Sequence, residues 1–407
     1  ILMVMMLVGF GYLMTFMQYY GLGAVGFCLL VSALGMQWGL IVDSFWIQLQ
    51  HNDWHGIHFD LYSMFLVTTF IGAPLISLGG VIGKVTPFQL IIMVLVEFTC
   101  QTFVTEVLLL GQLKVVDLGG TLAVHMFGLA VAYMVGNPKT EPAASATSDI
   151  LSLIGTTFLW VYWPSFVSGY TEKDSPAQQR ALTNTIMSLC ASTVTAFACS
   201  SYFNKYLNKD SRFRPVDIQN ATLAGGVSIG CLANMDLNPG LTLFVGAISG
   251  FLSAFGYAYI QPYLLDTFDL HDTCGINNLH GMPSILGGII SVIVIAMQGS
   301  SDLYNYKFEG TQAYMQLIGI FVTLATAIAC GLLTGKLLTL FAPKNEAFHD
   351  AAWWEIVDEP KTKEFQHVHH HYGSVATGEG NSNGNSNEGG EHDNSIIPTS
   401  NNNDTKI

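Results

Sequence analysis

Long uncharged apolar runs dominate the chain, separated by short polar stretches that hold most of the Lys, Arg, Asp and Glu. A hydrocarbon core about 30 Å thick takes about 20 helical residues to cross. Runs near that length span 1–17, 22–42, 61–83, 87–111, 118–136, 150–170, 181–203, 217–235, 240–260, 275–297 and 313–341, and the fourth carries Glu97 and Glu106. The pattern predicts an all-α polytopic membrane protein with about eleven transmembrane helices in 1–342, the last over 313–341, followed by a polar tail over 343–407. From about Gly373 the tail is rich in Asn, Gly, Ser and Glu, which cannot bury enough apolar surface to offset chain entropy, so it is expected to be disordered. The chain opens at Ile1 inside an apolar run, with no basic segment or cleavage site ahead of it, and a native N-terminus further upstream is expected.

Composition agrees with this class. Half of the residues are hydrophobic and 11% are charged, against about 25% in a soluble globular domain. Much of the net charge of −14 lies in the tail, and the few scattered basic residues over 205–214 give no footprint for nucleic acid. Lys84, Lys139, Lys205, Lys209, Arg212 and Arg214 fall in alternate connections on the same side as the Lys-bearing tail, whereas Lys114, Lys173, Arg180 and Lys307 fall on the other. The positive-inside rule then makes the C-terminus cytoplasmic. Six of the seven cysteines lie inside apolar runs and no CxxC pair occurs, so neither a disulfide framework nor a zinc site is expected. His367, His369, His370 and His371 could bind a transition metal, but clustered His in a low-complexity tail is more often incidental. Small residues four apart, as in Gly35/Gly39, Gly226/Gly230, Gly246/Gly250 and Gly331/Gly335, predict close helix packing.

Two of the apolar runs contain histidine. His125 and His280 each lie about a third of the way into a run, and each follows an Asp by eight residues, Asp117 and Asp272. The same pattern thus returns five helices later. An odd number of helices per unit reverses the second unit in the membrane, so about 1–136 and 150–297 are expected to be inverted repeats of five helices, with a functional site at their shared midplane interface. An imidazole inside a membrane helix is costly and is a functional candidate by default. Asp117 and Asp272 admit two readings, a helix cap or a direct ion contact.

Four stretches carry a resemblance: Asp117-Leu-Gly-Gly-Thr-Leu-Ala-Val-His125, Leu159-Trp-Val-Tyr-Trp-Pro-Ser-Phe166, Gln219-Asn-Ala-Thr-Leu-Ala-Gly-Gly226 and Asp272-Thr-Cys-Gly-Ile-Asn-Asn-Leu-His-Gly281. In this order, and over nearly all of 1–342, they closely resemble the Rh glycoprotein branch of the ammonium transporter (Amt/Mep/Rh) family. The resemblance implies a homotrimer of eleven- or twelve-helix protomers in a plasma membrane or endomembrane, each with its own narrow ammonia pore, and it implies no cofactor. It places His125 and His280 on the family's twin pore histidines, and Phe70 and Phe166 on its stacked outer gate, with Phe65 the alternative to Phe70. It places Asp117 on an acidic residue near the pore and Glu106 on a vestibule carboxylate; Asp117, Glu106 and Asp272 are the residues expected to recruit or stabilise the cation. Family members usually carry a further N-terminal helix and a glycosylated outer loop ahead of the segment that begins here.

The residues suggest how such a pore works. A bare cation is costly at the bilayer centre and neutral ammonia is not. Outer carboxylates concentrate ammonium, aromatic rings at the entrance offer cation–π contact, and two neutral imidazoles offer a donor and an acceptor inside an apolar tube. No nucleotide motif, phosphate-cradling Gly loop or ion-coupling motif is present, so passive flow is expected rather than pumping or enzymatic catalysis. Methylammonium and carbon dioxide are the other expected cargoes. Two rival readings are a bis-His haem protein and a non-transporting scaffold.

Overall fold

The computed structural model describes residues 1–57, 59–129, 140–141, 143–298, 310–341 and 348–356. The tail from residue 357, with its histidine cluster and expected disorder, lies outside the described residues.

Among the described residues there are eleven main helical segments, besides short 3-10 turns at Gln18–Tyr20 and Asp350–Ala352, and no strand. They are α1 (Leu2–Phe16), α2 (Gly21–His51), α3 (Leu61–Val81), α4 (Pro87–Leu113), α5 (from Thr121), α6 (Ala146–Ser168), α7 (Pro176–Asn208), α8 (Pro215–Ala221 and Ala224–Ile229), α9 (Pro239–Phe268), α10 (Asn277–Gln298) and α11 (Gln312–Thr339). Eight of them are long and apolar enough to cross a membrane. Local chemistry fixes many of the starts. Pro87, Pro176, Pro215 and Pro239 occupy the first turn of their helices, where the missing N–H costs nothing, and Thr86, Ser145 and Asp60 close capping boxes with Gln89, Ser148 and Ser63. One boundary differs from expectation. Helix α2 continues to His51, so Asp43, just past the end of the 22–42 run, lies buried two turns before the helix end.

The two five-helix repeats are legible in backbone detail. Helices α2 and α7 end on left-handed residues at Asn52 and Lys209, and α4 and α9 do so at Lys114 and Asp269. Both α4 and α9 widen into π-helical turns, Phe103–Leu113 and Gly256–Ile260. Helix α3 is broken at Ile71 and its counterpart α8 between Ala221 and Ala224. Helix α11 stands outside the repeats and packs on α4 and α10.

Polarity is arranged as a membrane requires. Val194, Phe244, Phe321 and Leu332 face outward, while Ser188, Ser192, Ser228 and Ser249 are fully buried between helices. Apolar burial gives helices in lipid no drive to associate, so close contact and interhelical hydrogen bonds must supply it. The Ser188 hydroxyl donates to the Gly225 carbonyl at 2.8 Å, the Ser192 hydroxyl donates to the Thr222 carbonyl at 2.9 Å, and the Ser228 hydroxyl donates to the Pro283 carbonyl at 2.8 Å. On α9, a Cβ on Gly246 would lie 2.1 Å from the Ser188 carbonyl oxygen and one on Gly250 would lie 2.5 Å from that of Ser192. Gly39 on α2 meets the Phe98 ring of α4 in the corresponding pair of the first repeat.

Residues 348–354 close one end of the bundle. Asp350 accepts the N–H groups of Leu22 and Gly23 at 2.6 and 2.7 Å, capping α2 from 328 and 327 residues away, and Trp354 fills the space over Gly26. The backbone N–H of Phe348 donates to the Gly83 carbonyl at 2.8 Å, so this end also holds the α3–α4 turn.

Gly246→Leu should destabilise the protein by about 1–3 kcal/mol or more, because the backbone carbonyl it meets cannot rotate away. A lowered melting temperature in detergent checks this, with Gly21→Ala, where nothing lies within 4 Å, expected to melt like the parent.

Candidate functional site

Helices α5 and α10 begin inside the bundle and are built alike. In each, an Asp is followed three residues later by a glycine at positive φ, Gly120 at 67° and Gly275 at 72°, and eight residues later by the histidine. Only glycine adopts that turn without strain. Asp117 Oδ2 accepts the N–H groups of Leu122 and Ala123 at 3.0 and 2.8 Å, and Asp272 accepts those of Ile276 and Asn277 at 2.9 Å each. Both aspartates therefore cap helix starts, where unpaired N–H groups would otherwise be stranded. The chain then runs through π-helical turns, Thr121–Met126 and Asn277–Gly281, that carry the imidazoles.

The two rings meet. His125 Nδ1 and His280 Nδ1 lie 2.9 Å apart, with the rings 5.0 Å between centroids and 12° from parallel. Trp163 of α6 stacks on His125 at 5.5 Å, and Phe10 of α1 stacks on His280 at 6.2 Å. The four rings thus come from the first and last helices of the two repeats. His125 is 3% exposed and His280 4%, and His125 Nε2 and Trp163 Nε1 are buried without a partner. A hydrogen bond between two Nδ1 atoms needs one ring to donate and the other to accept. In the neutral pair, the donor ring then has a bare Nε2 and the acceptor ring an Nε2–H. An apolar cavity adjoins His280, lined by Phe10, Leu75, Ile76, Ile276 and Leu279.

The other expected residues divide between the two ends of this core. At one end, Phe166 is buried with its ring edge-on to Tyr170 at 6.2 Å, and Phe65 meets the same tyrosine at 4.8 Å. Phe65, the alternative on α3, is thus the ring that shares Tyr170 with Phe166, while Phe70 is buried at the break in α3. Glu106 lies on the π-helical turn of α4, half-buried, within electrostatic reach of Asp43, Tyr62 and Tyr170. Asp43 is 6% exposed with Oδ1 unpartnered. The opposite end holds Asp272 and Lys84. Lys84 is buried in the α3–α4 turn, its ammonium donating to the His271 carbonyl, and burial lowers its pKa to about 8 against the opposing pull of Asp272.

Sequence reasoning missed Phe10, Trp163 and Asp43 as parts of this arrangement. Trp163 stood inside one of the quoted motifs, Phe10 had only hydrophobicity to mark it, and Asp43 was hidden by the underestimated length of α2. Among the described residues no group of three His, Cys, Asp or Glu side chains could hold a metal ion.

Comparison with known proteins agrees with this architecture. The family model described as the Ammonium Transporter Family matches residues 1–346. Ammonium transporter Rh type C of Bos taurus is 38% identical, over 88% of this chain and 82% of its own. Ammonium transporter Rh type B of Danio rerio is 36% identical, over 92% of this chain and 84% of its own. Among solved structures, the Rh50 protein of Nitrosomonas europaea superposes with a TM-score of 0.75 at 28% identity, covering 91% of this chain and 93% of that one. Mep2 of Saccharomyces cerevisiae shares the fold at a TM-score of 0.65 and 17% identity. Paired helices, capped by matched aspartates and carrying facing histidines, thus occur in a chain that belongs to the ammonium transporter family, in its Rh branch.

Proposed function

We propose that the protein is a passive ammonia channel in which ammonium releases its proton to water on the entry side, neutral ammonia passes the paired imidazoles of His125 and His280, and ammonia takes a proton from water again on the exit side. The observation that carries this reading is the 2.9 Å contact between the two Nδ1 atoms, with His125 Nε2 buried and unpartnered beside it. Such a pair holds one hydrogen between its rings and leaves an acceptor nitrogen on one side and a donor on the other. A small amine can both donate and accept, so it can exchange hydrogen bonds with each ring in turn while its apolar walls admit no hydrated ion. Burying a cation at this depth would cost about 2.5–3.5 kcal/mol or more.

Entry is assigned to the end that carries Glu106, with Asp117 as the second acid close to the pore. Their charge raises the local concentration of ammonium, and the Phe166 face gives cation–π attraction worth roughly 0.5–2 kcal/mol. Phe166 also bars water, with Phe70 or Phe65 as its partner from α3. Asp272 acts from the far end by capping α10 and so holding His280 in place. The channel is expected to work as a homotrimer with one pore per protomer, in a plasma membrane or endomembrane, with the C-terminus in the cytoplasm. Methylammonium is the expected surrogate cargo and carbon dioxide a further one. A bis-His haem is disfavoured, because two Nδ1 atoms in hydrogen-bond contact leave no room for iron between them.

His280→Ala should lower methylammonium uptake by about tenfold or more, the effect of raising a barrier by about 1.4 kcal/mol, while the assembly elutes unchanged on size exclusion. Uptake at the parental rate would remove the histidines from the mechanism. Asp272→Ala should cost about 0.5–2 kcal/mol of stability through the lost cap, with Asp272→Asn closer to the parent; equal melting temperatures for parent and Ala variant would contradict the capping assignment.

A further inference from the structure

Glu97 on α4 is an ionisable side chain that the pore described above does not use. It is fully buried, at 0% exposure, where α3, α4 and α5 meet. Its Oε1 lies 2.6 Å from Ser77 Oγ of α3, and the same Oγ lies 2.9 Å from the Gly128 carbonyl of α5. Glu97 Oε2 has no partner. Helices α3 and α5 approach closely here, since a Cβ on Gly128 would lie 2.8 Å from the Ala73 carbonyl oxygen. One helical turn along α4, Gln101 Nε2 donates to the Ala123 carbonyl at 3.2 Å. The two carbonyls held from α3 and α4, those of Ala123 and Gly128, bracket His125.

The hydrogen count decides the charge of this group. A serine hydroxyl has one hydrogen, and a carbonyl oxygen can only accept. If Ser77 donates to Gly128, the hydrogen in the 2.6 Å contact must come from Glu97. If Ser77 donates to an ionised Glu97 instead, the Gly128 carbonyl faces a second acceptor, and a buried carboxylate is left with one hydrogen bond. A buried charge needs a countercharge or several donors. Among the described residues no ion pair involves Glu97, and the titratable groups within its electrostatic reach are the thiols of Cys100 on α4 and Cys330 on α11, neither of them cationic.

We propose that Glu97 is a neutral carboxylic acid that donates to Ser77, so that Ser77 donates to the Gly128 carbonyl, and that this relay makes Glu97 a positioning residue for His125. The protonation state stands independently of the channel reading; its consequence for flux rests on that reading.

Infrared spectroscopy of the full chain in lipid reads the acid directly. A protonated carboxyl C=O band, shifted by deuterium oxide, should be lost in Glu97→Gln, and Ser77→Ala should keep it but raise its frequency as its hydrogen bond is lost. The imidazole nitrogen NMR shifts of the His125–His280 pair should match the parent in Glu97→Gln, whose amide can still donate to Ser77, and move in Glu97→Ala. Methylammonium flux should follow the same order, with the Gln variant near the parent and the Ala variant down about tenfold, the scale on which a misplaced functional group costs rate. A carboxyl region unchanged by Glu97→Gln would show an ionised Glu97 and overturn the proposal. Parental imidazole shifts in Glu97→Ala, or in Ser77→Ala should the former not fold, would overturn the positioning half. A parent that carries no flux but shows the band would refute the channel and leave the neutral acid standing.

Discussion

Two imidazoles, 155 residues apart in sequence, satisfy one another at 2.9 Å in a bundle built for lipid. That contact is the constraint on which the rest of the structure depends. An isolated neutral imidazole in such surroundings strands polar nitrogens, and a charged one needs a counterion. Pairing removes one unsatisfied nitrogen from each ring, provided that two helices begin inside the bundle and aim their first turns at each other. A helix that begins there must hide its N–H groups. Asp117 and Asp272 meet that need, each at the head of a left-handed glycine turn that reverses the chain into the helix.

The inverted repeat delivers this arrangement twice with one set of parts. Each half supplies a capped helix, a broken helix and a long helix pair whose contact is set by small residues. Each first helix supplies a ring to one end of the stack, Phe10 on His280 and Trp163 on His125. The two ends of this core are not equivalent. Glu106 and Asp43 stand at one, whereas buried Lys84 and the Asp350-capped start of α2 stand at the other. The symmetric centre holds the histidines, and the ends on either side of it are chemically unlike.

Most of this plan was legible in the sequence because membrane helices obey a length rule and because an Asp and a His at fixed spacing recur on two apolar runs. All eleven expected runs correspond to helical segments, and the twin histidines do meet. What escaped notice depends on features without a one-dimensional signal. The uncharged run 22–42 stops just before Asp43, although α2 continues around that residue to His51. The cap-or-ligand choice for Asp117 and Asp272 needed the positions of backbone N–H groups. Glu97 was visible as a charge in an apolar run, but Ser77 and Gly128, 20 and 31 residues away, are what give it meaning. The two phenylalanines of α3 are alike in sequence, and only the ring contacts distinguish Phe65, beside Tyr170, from Phe70 at the helix break.

Stopped-flow measurement of internal pH in proteoliposomes, after a jump in external ammonium, tests the central claim most directly. The comparison is between the parent and a His125→Ala/His280→Ala double variant at matched protein density. The account predicts rapid internal alkalinisation with the parent and a rate at the level of protein-free vesicles with the double variant. Equal, background-level rates for both would contradict it, and so would a double variant that alkalinises as fast as the parent.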